Sequence, residues 1–590
     1  MFLRSISRKK DGKIHRYWSV VENRRISGDK SVQKTVLYLG EINDSQQSQW
    51  CRAVETLDGD VRKQIALFPS DREVPSDISD AVQIQMSKLE LLRPRQWGAC
   101  WLALELWKQL ELDAFWRGRL IESRKGTDWL KVLKVLTVYR LCDPGSEWKL
   151  HRLWFDNSAM GDLLGGDFSL AQKDTLYRCL DKLVPHKEAL FSHLQEKWKS
   201  LFNAKFDVLL YDLTSTYFES GPPSNESDKR KFGYSRDKRS DCVQVVIALI
   251  VTPEGFPLAY EVLAGNTPDN KTLKDFLKKI ETQYGKANRV WVMDRGVPTE
   301  EVLKEMREST TPVSYLVGTP KGRLTKLEKH FVQLPWKEVR EHVDVKLVRS
   351  EGELFVLARS QKRVFKERSM RRRRLKLLWK RLRELQVKNL SRDQLLMKIG
   401  SAKTSAGRAA SLVSINIPDT LDEKPENKLT FSLNKKKLRE VMRKEGHYLL
   451  RTNIAEEDPV VLWKHYIQLV EVEEAFRNLK GDLSVRPIFH QIEERIEAHI
   501  FVCFLAYCLH VTLKQRAKQL APGLTPRAIV DQLKAMQMLD VRVPTTDGRA
   551  LEMSRFTHPD KTQSLLLTQL KLELPDQPPP KISALATAIH

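Results

Sequence analysis

Hydrophobic and polar positions alternate across residues 1–45, as in His15-Arg16-Tyr17-Trp18-Ser19-Val20-Val21 and Lys34-Thr35-Val36-Leu37-Tyr38-Leu39-Gly40. A period of two on either side of a polar stretch containing Gly28-Asp29 predicts a small β-hairpin module. Residues 46–93 are polar and read as a linker. From Pro94 the period lengthens to that of a helix, as in Trp101-Leu102-Ala103-Leu104-Glu105-Leu106-Trp107 and Leu130–Leu141. Residues 94–204 are therefore expected to be a helical domain. Its many Trp, Lys and Arg residues suit either a DNA-binding surface or ordinary packing.

Over residues 205–318 the pattern changes again. Apolar runs at Phe206–Tyr211, Val243–Val251, Pro257–Leu263, Val290–Met293 and Ser314–Val317 predict strands, with helices at Asn270–Tyr284 and Thr299–Glu308. Three strands followed by helix, strand, helix and strand is the order of an RNase H-like α/β core. The order breaks over residues 319–457, where short strand-like runs (Leu354–Ala358, Ala410–Ile417) flank one long helix, Gln361–Gln386. That helix carries twelve Lys/Arg, including Arg371, Arg372, Arg373 and Arg374, against two Glu. Its stripe of Leu375, Leu378, Leu382 and Leu385 would pack on one side while guanidinium groups face phosphates on the other. Strong helix periodicity returns over 458–515. Residues 516–590 read as a helical tail, a candidate dimerisation element, ending in the Pro-rich 575–580.

Composition sharpens the expected partner. One hundred Lys+Arg against 76 Asp+Glu leave a formal charge of +24, a field that attracts polyanions and favours nucleic acid. Seven scattered cysteines show no zinc-site spacing, which predicts a reduced cytoplasmic protein. Val243–Val251 and Ile500–Leu513 are expected to be too short and interrupted to cross a membrane.

Three carboxylates carry the candidate chemistry. Asp212 follows Val208-Leu209-Leu210-Tyr211, and Asp294 follows Val290-Trp291-Val292-Met293, so both are expected at the C-terminal ends of buried strands. Glu473 lies in Tyr466–Lys480, YIQLVEVEEAFRNLK, where helical spacing aligns Tyr466, Leu469, Glu473, Phe476, Arg477 and Lys480 on one side. A metal-holding carboxylate with basic groups one and two turns further on suits a scissile phosphate and its neighbours.

At these residues the chain resembles the DDE insertion-sequence transposases, specifically the "family four" branch with its signature Tyr-x2-Arg-x3-Glu-x6-Lys. Tyr466, Glu473 and Lys480 fit the spacing, whereas Leu469 stands where the Arg belongs. Tyr211–Phe218, Gly233–Arg239, Gly265–Asp269, Leu483–His490 and Arg495–Ile500 extend the resemblance in order along the chain.

The resemblance implies an RNase H-like catalytic core interrupted by a mainly β insertion domain, which accounts for 82 positions from Asp212 to Asp294 but 179 from Asp294 to Glu473. It implies cleavage at transposon ends and strand transfer into target DNA, with Mg²⁺ (or Mn²⁺ in its place) held by Asp212, Asp294 and Glu473. Tyr466, Arg477 and Lys480 would position the end strand of double-stranded DNA, and a homodimer would bring two ends together in the bacterial cytoplasm, on the nucleoid. A DNA-hairpin step would need an aromatic at position 470, which is Val470; Trp463 is the nearest substitute. The alternatives are a metal nuclease without strand transfer, a catalytically inactive transposon-derived DNA-binding protein, and an RNA-binding factor that leaves the carboxylates unexplained.

Overall fold

The computed structural model describes the chain except residues 1, 11–12, 27–29, 43–45, 47–49, 51–83, 125, 236, 238, 269–272, 285–288, 295–296, 309–312, 320–333, 351, 389, 418–428, 456–457, 546–548 and 584–590. Most of the expected linker, and the Gly28-Asp29 turn, lie outside the described residues.

At the N-terminus β1 (Phe2–Lys10), β2 (Lys13–Ile26) and β3 (Lys30–Gly40) form an antiparallel three-stranded sheet, one strand more than the hairpin expected. Trp50 anchors the chain that follows, donating its indole N–H to Pro522 O at 2.6 Å. Next comes β4 (Glu90–Gln96), which starts before and includes Pro94. It is a strand because residues 537–542, more than 400 positions later, pair with it. No local pattern announces that partner.

Helices Gly98–Gln109, Trp129–Cys142, Lys173–Leu180 and Lys187–Phe202 dominate the following region. The tryptophans of this region pack inward: Trp101, Trp107, Trp116, Trp129, Trp154 and Trp198 are buried, while Trp148 is half exposed. Burial removes most of these rings from any DNA surface, so packing is their role. The same hydrophobic cluster continues into the α/β region.

There β5 (Val208–Phe218), β6 (Val243–Val251) and β7 (Pro257–Ala264) form an antiparallel meander, and β8 (Val290–Met293) and β9 (Ser314–Thr319) add in parallel beside β5. The order β7-β6-β5-β8-β9 is that of the RNase H-like fold. Four of the inserted strands join the core sheet. β10 (Lys337–Arg340), β11 (Val343–Ser350), β12 (Glu353–Ser360) and β15 (His447–Thr452) extend the same sheet to nine strands, through β15 paired to β9. Beyond β12 the long helix Gln361–Gln386 folds back on helix Arg392–Ala406, with Leu378, Leu382, Leu385, Leu395 and Ile399 in a separate small core. The short hairpin β13 (Val413–Asn416) and β14 (Thr430–Leu433) completes this extension. The segment thus supplies both strands and helices.

Helix Glu493–Leu520 has 28 residues and is long and apolar enough to cross a membrane, contrary to the length argument made from sequence. Burial gives the different reason: 94% of its most apolar window is covered by protein. It is the central core helix. The C-terminal segment is not purely helical either. β16 (Gln537–Pro544), β17 (Ala550–Phe556) and β18 (Lys581–Ser583) join β4 in a four-stranded sheet, alongside helices Pro526–Leu533 and Lys561–Gln569.

Candidate active site

The register of the parallel strands sets the site. Val208 to Tyr211 of β5 pair with Val290 to Met293 of β8, ending on Tyr211 opposite Met293. Asp212 and Asp294 come next at the same level on strands about 4.8 Å apart. Asp212 is not at a strand end, as the sequence suggested: β5 runs on to Phe218 against β6, with Asp212 opposite Leu249. Only the β8 side of its ladder stops there, which opens one flank of Asp212 while the other stays in the sheet. Asp212 is half-buried and its Oδ1 accepts Leu213 N–H at 2.8 Å, whereas Asp294 is exposed.

Glu473 arrives on helix Leu469–Lys480, which packs over β5 and β6 with Val472, Ala475, Phe476 and Leu479 buried. That three-and-four spacing turns one face to the sheet and leaves the neighbouring Glu473 exposed beside it. The expected single helix from Tyr466 is broken at Gln468, where three-residue bonds (Gln468 N to His465 O, Glu471 N to Gln468 O) replace the regular ladder. Tyr466 therefore belongs to the preceding helix, Pro459–Ile467.

Asp212, Asp294, Glu473 and Tyr466 line one cleft of 460 Å³, together with Leu469, Val470, His447, Tyr448, Arg363 and Lys366. The sequence reading missed the last four. Arg363 and Lys366 start the long basic helix, and Arg363 lies 3.7 Å from the Tyr448 ring centre while its Nε bonds Glu367 at 2.8 Å. The helix had drawn attention for its charge. The signal that its first turns face the carboxylates exists only in the pairing of β12 and β15 with the core.

Other expected contacts are placed elsewhere. Lys480 Nζ sits 3.1 Å from Asp237, which Arg486 also bonds, so Lys480 spends its charge inside the protein. Burial pushes the Asp237 carboxyl up, but the Arg486 hydrogen bond and the Lys480 charge outweigh it and hold it below the usual range. Arg477 projects outward with 74% of its side chain exposed. Arg371 pairs with buried Glu445, while Arg372, Arg373 and Arg374 are exposed. Trp463 is buried, so it offers no face to a flipped base; Val470 is exposed in the cleft.

The donor chemistry of the cleft fits a hard divalent cation: its acidic groups are oxygen ligands from three separate elements, with no thiolate. The three do not crowd around one point. Among the described residues, the trio of ligand atoms within 4.8 Å of one another is instead Glu147, His490 and His499. A pair of ions about 3.5–4 Å apart accommodates a wider spread of carboxylates than one ion does.

Behind the site, His510 Nε2 lies 3.2 Å from Asn478 Nδ2 of the Glu473 helix. Burial pushes this imidazole down to about 3, with Lys514 and Arg527 adding to the effect. The folded imidazole stays neutral while the unfolded one titrates near 6.5, so the unfolded state binds more protons once pH falls below that value. Stability from this group is full above pH 6.5 and is lost towards pH 3, at up to about 1.4 kcal/mol per pH unit. The Tm of His510→Gln is expected to fall less steeply than wild type between about pH 6.5 and 4.5. Parallel slopes would exclude His510 as the source.

Comparison with known proteins agrees with this geometry. Residues 204–509, just over half of the chain, match the family model of the transposase DDE domain, and residues 3–64 match the N-terminal domain of IS1634-family transposases. No curated protein matches the chain. Among solved structures it has a slight likeness to a piggyBac transposase synaptic complex with hairpin DNA, at 10% identity and a TM-score of 0.33 over 75% of this chain and 82% of that one, too low to argue from. With the DDE model spanning both aspartates and the glutamate, the chain belongs to the DDE family of DNA transposases.

Proposed function

We propose that the cleft between β5, β8 and the Glu473 helix is where this transposase cleaves transposon ends and transfers them into target DNA. The observation that carries this is the β5–β8 register, which sets Asp212 and Asp294 side by side on the cleft that Glu473 also lines. Asp212, Asp294 and Glu473 are the residues to hold Mg²⁺, or Mn²⁺ in its place. When bound, the metal supplies Lewis-acid polarisation of the phosphate and a more acidic attacking hydroxyl.

The chain's own groups do the rest. Arg363, Lys366 and Tyr466 orient the strand at the cleft, and Arg477 with Arg372, Arg373 and Arg374 extends a basic track for the duplex. The "family four" assignment rests on the Tyr466–Glu473–Lys480 spacing, and Lys480 then acts as a strut through Asp237 rather than as a direct DNA contact. Two ends call for a homodimer, in a protein working in the cytoplasm on the nucleoid.

The test is incubation of the full chain with DNA carrying the element's own ends and Mg²⁺, followed by strand-transfer assay with pre-cut ends. Cleavage and joining are expected. Cleavage without joining would leave a metal nuclease, and neither would leave a DNA-binding protein. A second measurement separates the two basic residues of the Glu473 helix. Arg477→Ala is expected to weaken duplex binding and reduce the salt slope by about 1. Lys480→Ala is expected to cost about 1–3 kcal/mol of stability by stripping Asp237 of one partner. An unchanged Tm for Lys480→Ala would contradict the strut role.

A further inference from the structure

Apart from the catalytic cleft, three ionisable side chains from distant parts of the chain meet in the interior. Glu147 opens the short turn Glu147–Lys149 in the helical region, His490 lies between the Glu473 helix and the core helix, and His499 is on the core helix Glu493–Leu520. All three are more than nine-tenths buried, and their ligand atoms lie within 4.8 Å of one another.

The separations are the telling feature. Glu147 Oε2 is 3.2 Å from His490 Nε2, and Glu147 Oε1 is 3.4 Å from His499 Nδ1. Charge-assisted hydrogen bonds close to about 2.7–2.9 Å. A tetrahedron with metal–ligand bonds of about 2.0–2.1 Å has ligand–ligand edges of about 3.3 Å. His490 Nε2, aimed at the carboxylate, makes no hydrogen bond among the described residues, and neither does His499 Nε2.

We propose that Glu147, His490 and His499 form a binding site for a zinc-type transition cation, separate from the catalytic carboxylates. Two imidazoles and one carboxylate suit that class of ion, as the three carboxylates of the cleft suit magnesium. Arg140 also faces the group: its Nη2 is 3.4 Å from Glu147 Oε1, and its Nη1 donates to Ser484 O at 3.2 Å. It shares Oε1 with His499, in the manner of an outer partner of a ligating carboxylate, while Oε2 lies beside His490. The protonation of Glu147 and His499 suits ligation at neutral pH. Burial pushes Glu147 up, but the facing imidazoles of His490 and His499 outweigh it and hold it well below the usual range. Burial and the Arg140 charge push His499 down to about 4. The ion would clamp the segment after the Glu473 helix, which also carries Arg486, onto the helical region.

The test uses the full chain carrying Asp212→Asn, Asp294→Asn and Glu473→Gln, stripped with chelator and then given Zn²⁺ or Co²⁺ alone. One equivalent of Zn²⁺ is expected to bind and raise Tm, and Co²⁺ is expected to give the visible absorption of a tetrahedral site. Adding His490→Ala should lower Zn²⁺ affinity by more than about 100-fold, beyond the range for changes to residues that only hydrogen-bond to a ligand. Should that variant fail to fold, His490→Gln removes the ligand while keeping bulk and polarity. No retained ion in the triple variant, or undiminished affinity in both His490 variants, overturns the proposal.

Discussion

Asp212→Asn, Asp294→Asn and Glu473→Gln are each expected to reduce Mg²⁺-dependent cleavage of transposon-end DNA by more than about 100-fold, because changes merely adjacent to metal ligands already cost 10–100-fold. DNA affinity should change little, since the basic groups on Arg477 and on the long helix are untouched. Stability should also hold: Asp294 and Glu473 are exposed, and surface substitutions away from special features stay within about 0.5 kcal/mol. Asp212 is the exception to watch, because its Oδ1 accepts the Leu213 N–H and an amide oxygen can replace it. Single-turnover cleavage alongside thermal melts separates the effects. Wild-type rates in Glu473→Gln would remove it from the metal site and leave the aspartates alone.

The second large effect concerns the weld between the inserted strands and the core. Glu353 on β12 is buried and faces Arg307 at 2.9 Å and Arg451 of β15 at 3.6 Å, and Tyr315 of β9 donates its hydroxyl to the same carboxylate. Burial and the neighbouring carboxylate raise the Tyr315 phenol above its ordinary value, so it remains a donor. Glu353→Ala leaves Arg451, itself mostly buried, dependent on the exposed Glu300. Removing one partner of a buried pair costs about 3–5 kcal/mol. Glu353→Ala is therefore expected to lower Tm markedly and to expose the inserted segment to proteolysis first. Replacing the pair together, as Glu353→Leu with Arg451→Met, should recover much of the loss. An unaltered melting curve for Glu353→Ala would show that strand pairing alone joins the two parts.

Several features of the fold were legible because they are written locally. Apolar runs mark β5 through β9, and the apolar stripe of Leu469–Lys480 marks its helix, since burial leaves its pattern on neighbouring positions. Asp212, Asp294 and Glu473 could be chosen as candidates from their positions relative to such runs and from the family motif. Where partners are distant, the sequence was silent or misleading. β4 needs β16, Trp50 needs Pro522, and the extent of β5 beyond Asp212 depends on β6. The pairing of Lys480 with Asp237 and the burial of Trp463 likewise depend on packing that no local pattern records.

By itself, then, the sequence determined the basic character of the protein, the alternation of its strands and helices, and which carboxylates are the candidates for the chemistry. Tertiary structure alone decided that the first turns of the basic helix line the same cleft as Asp212, Asp294 and Glu473 and that Glu147, His490 and His499 converge. The physical reason is the range of each cause. Side-chain periodicity follows from which face of one element is buried, whereas convergence depends on pairings and packings between residues hundreds of positions apart.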